Sequence, residues 1–236
     1  MKSGRPGGPA RDRATPGCVL ALAWRPLPDR TLVAADRIET LAGTGILGDL
    51  HADACSPRQL LLAGGPAYSD LALPPHALRE NLLVDFDTAS LGSGTVLQIG
   101  ATVRLRMMFQ CEACGLLDTV QPRLARRIGD RRGMLARVLT GGVIHNGDPV
   151  RDLGLLESPW PDDWRERVRR VVEAVPADSV IEYRQLARLA GIQSSYCRAF
   201  PRLLAGLGTA CAAKAVAANS PATRPRWQGE GLFGRW

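Results

Sequence analysis

Between Gly17 and Val150 the chain keeps turning back on itself. Short apolar runs alternate with glycine and proline. They are Gly17–Trp24, Arg58–Leu62, the run after Asn81, two runs divided by Gly100, and Arg131–Leu139, which ends at Gly141 and Gly142. Val143–Val150 contains Asn146-Gly147, a dipeptide that favours a tight hairpin turn. In Thr102–Met108, Val103, Leu105 and Met107 alternate with polar or longer residues, as in a strand with one buried face. Many short strands with glycine turns predict a β-rich barrel or folded sheet.

The pattern changes past Asp152. Leu153–Pro161 reads as a linker. From Trp164 the period becomes helical. Trp164, Val168, Val171, Val172 and Val175 share one face, Asp162 or Asp163 can cap the start, and Pro176 ends it. Ser179–Tyr183 predicts a short strand or extended turn, and Arg184–Ala190 a helix stopped by Gly191. A further helix opens at Ser194 or Ser195 and carries Arg198 and Arg202. Two short helices around a glycine turn, with arginines on the second, resemble a helix-turn-helix. The expected fold class is therefore α+β. A β-rich barrel-like domain spans 17–152, a linker 153–161, and a small, mainly helical, winged-helix-like domain 162–236. The two domains are expected to fold independently. Residues 1–16, with basic residues, glycine and proline but no apolar core, predict a disordered tail rather than a secretory signal.

Chemistry concentrates in Phe109–Asp118, where Cys111 and Cys114 stand three apart at the end of the Thr102–Met108 strand, beside Gly115. A thiol at a strand end is held rigidly and still meets a substrate. Two thiols at this spacing can share a turn, one attacking and one resolving. Two ordinary buried cysteines would give the same spacing. Cys18, Cys55, Cys197 and Cys211 show no paired spacing, so no zinc site, and no other metal site, is expected. Without an export signal the location is expected to be cytoplasmic and the thiols reduced. No apolar run approaches the roughly 20 residues that cross a bilayer, so no membrane partner is expected. The net charge is +7, and 12 Lys/Arg against 7 Asp/Glu fall in 162–236. That bias favours a phosphate-bearing partner, although a basic surface alone would produce it.

Several short stretches in order carry a resemblance: Gly45-Ile-Leu-Gly-Asp-Leu-His51, Arg58-Gln59, Arg79-Glu80-Asn81-Leu82, Cys114 and Gly142–Val150. Together they resemble the MOSC family, named for the C-terminal domain of molybdenum-cofactor sulfurase, over roughly residues 17–152. Ala113 stands where that family usually has a proline. The resemblance implies a mostly β fold and a cysteine that carries or cleaves sulfur, in some members beside a molybdenum cofactor. By match Cys114 is that catalytic cysteine and Cys111 an auxiliary catalytic thiol. His51, Arg79 and Asn81 map onto positions that line the substrate cleft. Asn81 and Asp49 could equally cap turns, His51 could be structural, and Arg79 could be a solvated charge.

Val171–Gly191, with the later Gln228-Gly-Glu-Gly-Leu232, resembles the DNA-binding domain of O6-alkylguanine-DNA alkyltransferases and the alkyltransferase-like proteins. The resemblance implies nucleic-acid-binding roles for Tyr183, which assists nucleotide flipping, and Arg198, which fills the gap in the duplex; Arg202, on the same basic helix, completes the expected nucleic-acid-binding set. The family's Pro-Cys-His-Arg acceptor is missing. Lys214 or Ala212 takes its place, and Cys211 has no neighbouring histidine, so alkyl transfer is not expected. Pro201 stands in the second helix, where a kink is expected. The leading expectation is a sulfur-transfer or desulfurising protein that forms a persulfide on Cys114, served by a sulfur donor protein or thio-compound. The appended module then recognises DNA or a nucleobase-like substrate. The alternatives are a non-catalytic DNA- or lesion-binding protein and a protein that binds the molybdenum cofactor.

Overall fold

The computed structural model describes residues 17–29, 31–221 and 223–234; the tail expected at 1–16 lies outside the described residues. In chain order the first strands are β1 (Gly17–Trp24), β2 (Val33–Ala35), β3 (Arg37–Leu41), β4 (Gly45–Ile46) and β5 (Leu60–Gly64). Helix α1 (Gly65–Leu71) leads to β6 (Leu82–Val84), β7 (Thr95–Ile99) and β8 (Val103–Gln110). Helix α2 (Leu124–Ile128) precedes β9 (Met134–Thr140), β10 (Gly142–His145) and β11 (Pro149–Leu155). Seven strands close a barrel in the order β11-β7-β8-β9-β5-β6-β1, sealed by pairing of β1 with β11. Only β5 and β6 run parallel within it, joined by the α1 crossover.

Alternation places the core. Leu60 and Leu62 of β5, Leu105 and Met107 of β8, and Met134, Ala136 and Val138 of β9 point into the barrel. Their neighbours Leu61, Met108, Phe109 and Leu135 lie on the outer face, yet they are buried as well. What buries them is the rest of the chain. Helix α3 (Trp164–Ala174), strand β12 (Ile181–Glu182) and helices α4 (Tyr183–Ala190), α5 (Phe200–Gly206) and α6 (Thr209–Ala212) lie there. Strand β13 (Ala215–Val216) pairs in parallel with β12. Val168, Val171 and Val172 of α3, Leu186 and Leu189 of α4, and Trp160 join one apolar cluster with the outer barrel wall. A register shift between Met107 and Phe109 lets two successive residues of β8, Met108 and Phe109, both face the outer cluster.

Several local expectations change in the structure. Asn146-Gly147 does turn the chain, with the Asp148 N–H donating to the His145 carbonyl. The strands on either side do not form a hairpin, because β10 pairs with β3 while β11 pairs with β7 and β1. The segment expected as a linker starts inside β11 and ends beside Trp160, which is buried and whose N–H donates to Ser93 Oγ at 2.6 Å. Asp163 caps α3 through the Arg165 N–H. The helix expected from Ser194 is a 3-10 segment, Ser194–Ala199, and the α-helix starts only at Phe200. Pro201 therefore stands in the first turn of α5, where its missing N–H costs nothing, and does not kink a helix interior. Lys214 donates to the Val175 carbonyl at 2.6 Å and so ties off the end of α3. All six cysteines are free thiols. Among the described residues no helix is long and apolar enough to cross a membrane.

Candidate active site

One cavity of about 470 Å³ opens where the barrel loops meet α3 and the α4–α5 connection. Its wall is built from the buried acid outward. Asp49, in the glycine-rich turn, accepts the Arg25 N–H at 2.6 Å and the His51 N–H at 2.7 Å. That fixes His51 at the cavity edge. The Arg25 guanidinium in turn donates to the Arg79 carbonyl at 2.5 Å, and Arg132 donates to the Leu78 carbonyl. Two buried arginines thus hold one turn. Arg79 itself has left-handed backbone, φ 56°, which a non-glycine residue adopts only when its surroundings hold it. Its exposed side chain lines the cavity.

Among the described residues five arginines, Arg25, Arg58, Arg79, Arg132 and Arg167, line the cavity with one carboxylate, Glu112. Arg25 and Arg132 are 3% and 6% exposed, and each keeps an Nε–H without an acceptor among the described residues. A buried donor left unpaired costs about 1–3 kcal/mol. Burial lowers the pKa of Arg25, and Arg79 and Arg132 push it the same way against Asp49 and Glu80. The His51 imidazole is likewise held below its ordinary value, by desolvation first and then by Arg25, Arg58 and Arg79, with Asp49 opposing. This wall is set to receive negative charge.

Cys111 and Cys114 sit on the same wall in unlike positions. Cys111 donates its N–H to the Gly133 carbonyl at 2.8 Å, and its side chain, 6% exposed, belongs to the apolar cluster beneath the helical layer. Cys114 is exposed and extended, at the start of a 3-10 turn over Gly115–Thr119, and its thiol makes no cap hydrogen bond. Between them Glu112 reaches Arg167 Nη2 at 3.6 Å. Arg167, on α3, is 1% exposed, donates to the Ala190, Pro161 and Asp162 carbonyls, and stacks over Phe109 with its centre 3.8 Å from the ring. The helical layer is thereby pinned to the cysteine loop. Gly191 closes the approach. At φ 67° it is left-handed, and a Cβ there would lie 2.6 Å from Pro57 and 2.8 Å from Phe109. Its carbonyl accepts Arg58 Nη1 at 3.2 Å.

Cys114, Cys111, His51, Arg79 and Asn81 all line this cavity. Asn81 is buried, with Oδ1 taking the Leu61 N–H at 3.0 Å and Nδ2 donating to the Ala23 carbonyl at 3.1 Å; its amide braces β5 against β1. Tyr183, Arg198 and Arg202 lie elsewhere. Tyr183 is half-buried, edge-on to Phe200 at 5.8 Å between ring centroids, while Arg198 and Arg202 are exposed. Sequence reasoning passed over Arg25, Arg132, Arg167 and the Gly191–Tyr196 wall. Arg167 did leave a signal, since it occupies the i+3 place on the apolar face that starts at Trp164, where a charge needs partners.

The fold and cavity define a small β-barrel that presents a free thiol in a cationic cleft. Residues 58–151 match the family model described as "MOSC domain". The barrel extends past the match, because β1 closes it. The YuaD protein from Bacillus subtilis is a structural neighbour with TM-score 0.54 and 19% identity, covering 60% of this chain and 97% of that one. YiiM from Geobacillus stearothermophilus aligns with TM-score 0.48 and 15% identity over 80% of this chain and 100% of its own. YiiM from Escherichia coli gives 0.44 and 16%, over 80% and 94%. No curated protein sequence matches the chain.

Proposed function

We propose that the protein handles sulfur through a persulfide on Cys114. The observation that supports this most directly is an exposed thiol, with no hydrogen-bond partner among the described residues, on the wall of an arginine-lined cavity. The Cys114 thiolate attacks the outer sulfur of a sulfane donor, either a thio-compound with a sulfur–sulfur bond or a donor protein's persulfide; that bond breaks, the rest of the donor leaves with its electron pair, and Cys114 holds the sulfur as a persulfide. Cys111 then attacks Cys114 Sγ, hydrosulfide leaves, and the resulting disulfide is reopened by a dithiol reductant. His51 and Arg79 contact the bound substrate, and Asn81 shapes the wall. A cytoplasmic setting, where thiols stay reduced, belongs to the same reading. The test is sulfane sulfur per protein, with melting temperatures, for wild type, Cys114→Ser and Cys111→Ser. Loading is expected to vanish in the first and to persist with slowed release in the second. Undiminished loading in folded Cys114→Ser ends the assignment.

A second reading places the molybdenum cofactor in this cavity. The donor set fits such a group: Arg25, Arg79 and Arg132 suit its phosphate, and Cys114 offers a thiolate to the metal. The bound cofactor would supply two-electron chemistry. A pterin that co-purifies and is lost from Cys114→Ser favours this reading.

The segment 162–236 is proposed as an alkyltransferase-like, winged-helix-like recognition module for DNA or a nucleobase-like substrate. Its excess of basic residues and the exposed Arg198 and Arg202 support that role. Duplex binding is expected to be weak and to fall steeply with salt. Arg198→Ala is expected to weaken binding to mismatched duplex more than to plain duplex. Absence of binding at low salt removes the DNA reading.

A further inference from the structure

We infer that the donor at this site is a small anionic sulfane compound of the thiosulfate type, a sulfur atom carried on a sulfonate. This rests on Cys114 being the sulfur-loading thiol and adds the chemical class of what loads it. The cavity, about 470 Å³, is of small-molecule size. Its one carboxylate, Glu112, is already turned to Arg167. Arg79 is exposed on the wall, and its guanidinium makes no hydrogen bond or ion pair among the described residues. Arg25 and Arg132, nine-tenths buried, line the same cavity. Two buried cations beside an exposed, unpaired cation and a free thiol match a ligand that brings negative charge and several acceptor oxygens. A neutral or cationic persulfide makes no use of them.

The step balances without an external oxidant. The Cys114 thiolate attacks the outer sulfur of thiosulfate, a bond forms between Sγ and that sulfur, and the bond to the sulfonate sulfur breaks. Its electron pair departs with sulfite. Cys114 is left as a persulfide anion, and the total charge of −3 is conserved. Charge builds on the sulfonate as the bond breaks, so cations aimed at its oxygens stabilise the transition state more than the bound donor.

The test loads the full chain, without oxygen, from two donors of opposite charge: thiosulfate and cysteamine persulfide. Intact mass is followed for the gain of one sulfur, and sulfite is measured. Wild type is expected to load from thiosulfate with one sulfite released per sulfur gained. Arg79→Asn removes the cation but tolerates left-handed backbone. It is expected to lower the ratio of thiosulfate rate to cysteamine persulfide rate at least ten-fold, and added salt is expected to lower the same ratio. Loading from cysteamine persulfide but not thiosulfate overturns this inference while sparing the Cys114 reading. An unchanged ratio in Arg79→Asn also overturns it. Loading of folded wild type from neither donor overturns both.

Discussion

Arg167→Met tests the joint between the helical layer and the cysteine loop. The substitution keeps roughly the length and the apolar contact with Phe109 and removes the donors. Three carbonyls lose their partner: Ala190, whose bond is 2.8 Å, with Pro161 and Asp162. A hydrogen bond to a charged group contributes about 1.5–3 kcal/mol. The stacked guanidinium over Phe109 adds up to about 2 kcal/mol when desolvated. Against this, a cation 1% exposed no longer has to be stripped of water, a relief of several kcal/mol in comparable cases. Water can reach the Pro161 and Asp162 carbonyls, which are part-buried, far more readily than that of Ala190. The net loss is expected at about 2–4 kcal/mol, which raises the unfolded fraction roughly thirty-fold to a thousand-fold. Urea unfolding should show a lower midpoint at unchanged slope. Glu112 also loses its partner, so Cys111, now 6% exposed, should become open to alkylation in the native state. A stability change below about 0.5 kcal/mol together with a still protected Cys111 refutes the reasoning.

Further outcomes follow from other contacts. Gly191→Ala meets a left-handed backbone and a Cβ 2.6 Å from Pro57; a loss of about 2–4 kcal/mol should lower Tm by roughly 5–15 °C, and a change under about 2 °C would contradict the close approach. The apolar cluster shared by barrel wall and helices argues for a single co-operative unfolding transition seen by every probe. Two separate transitions, or two stable fragments after cleavage near Leu153–Pro161, would restore independent folding of 17–152 and 162–236. The two histidines should act with opposite sign. The Glu80 carboxylate, 3.3 Å from Nδ1, raises the His76 pKa, so wild type gains stability over His76→Asn below about pH 6.5 and loses the gain as pH rises through the native value. The His51 pKa is lowered, so wild type loses stability relative to His51→Asn as pH falls below about 6.5 towards the native value. Matching slopes for the two variants would refute the assignment of causes.

The sequence made the barrel legible wherever a strand ran between glycines. Gly17–Trp24, the strands around Gly100 and the run into Gly141 carried their own boundaries, because glycine stops a strand locally. Pairing partners were not legible. Asn146-Gly147 encodes a turn, and nothing local says that β10 will leave for β3. The same limit explains Pro201, since a proline reads as a break until the start of its helix is known. Cys111, Cys114, His51, Arg79 and Asn81 were visible as residue types in a familiar order. Arg25 and Arg132 were not, because each acts through carbonyls, of Arg79 and Leu78, that no side-chain pattern reveals.

The helical layer gives the cavity its second wall, and this changes how the two halves of the sequence are to be understood. A barrel alone would leave Leu61, Phe109 and Leu135 facing water, and Leu60-Leu61-Leu62 is apolar on both faces, as a strand covered on both sides must be. The covering elements are therefore demanded by the barrel's own sequence. They reach the cavity through Gly191 to Tyr196 and through Arg167. Arg167 holds the loop between the two cysteines by Glu112 while its other donors fasten the ends of α3 and α4. Whatever ligand displaces Glu112 from Arg167 thus acts on the cysteine loop and on the helical layer at once. In the proposed function, recognition by the C-terminal segment and thiol chemistry on the barrel meet at that one guanidinium.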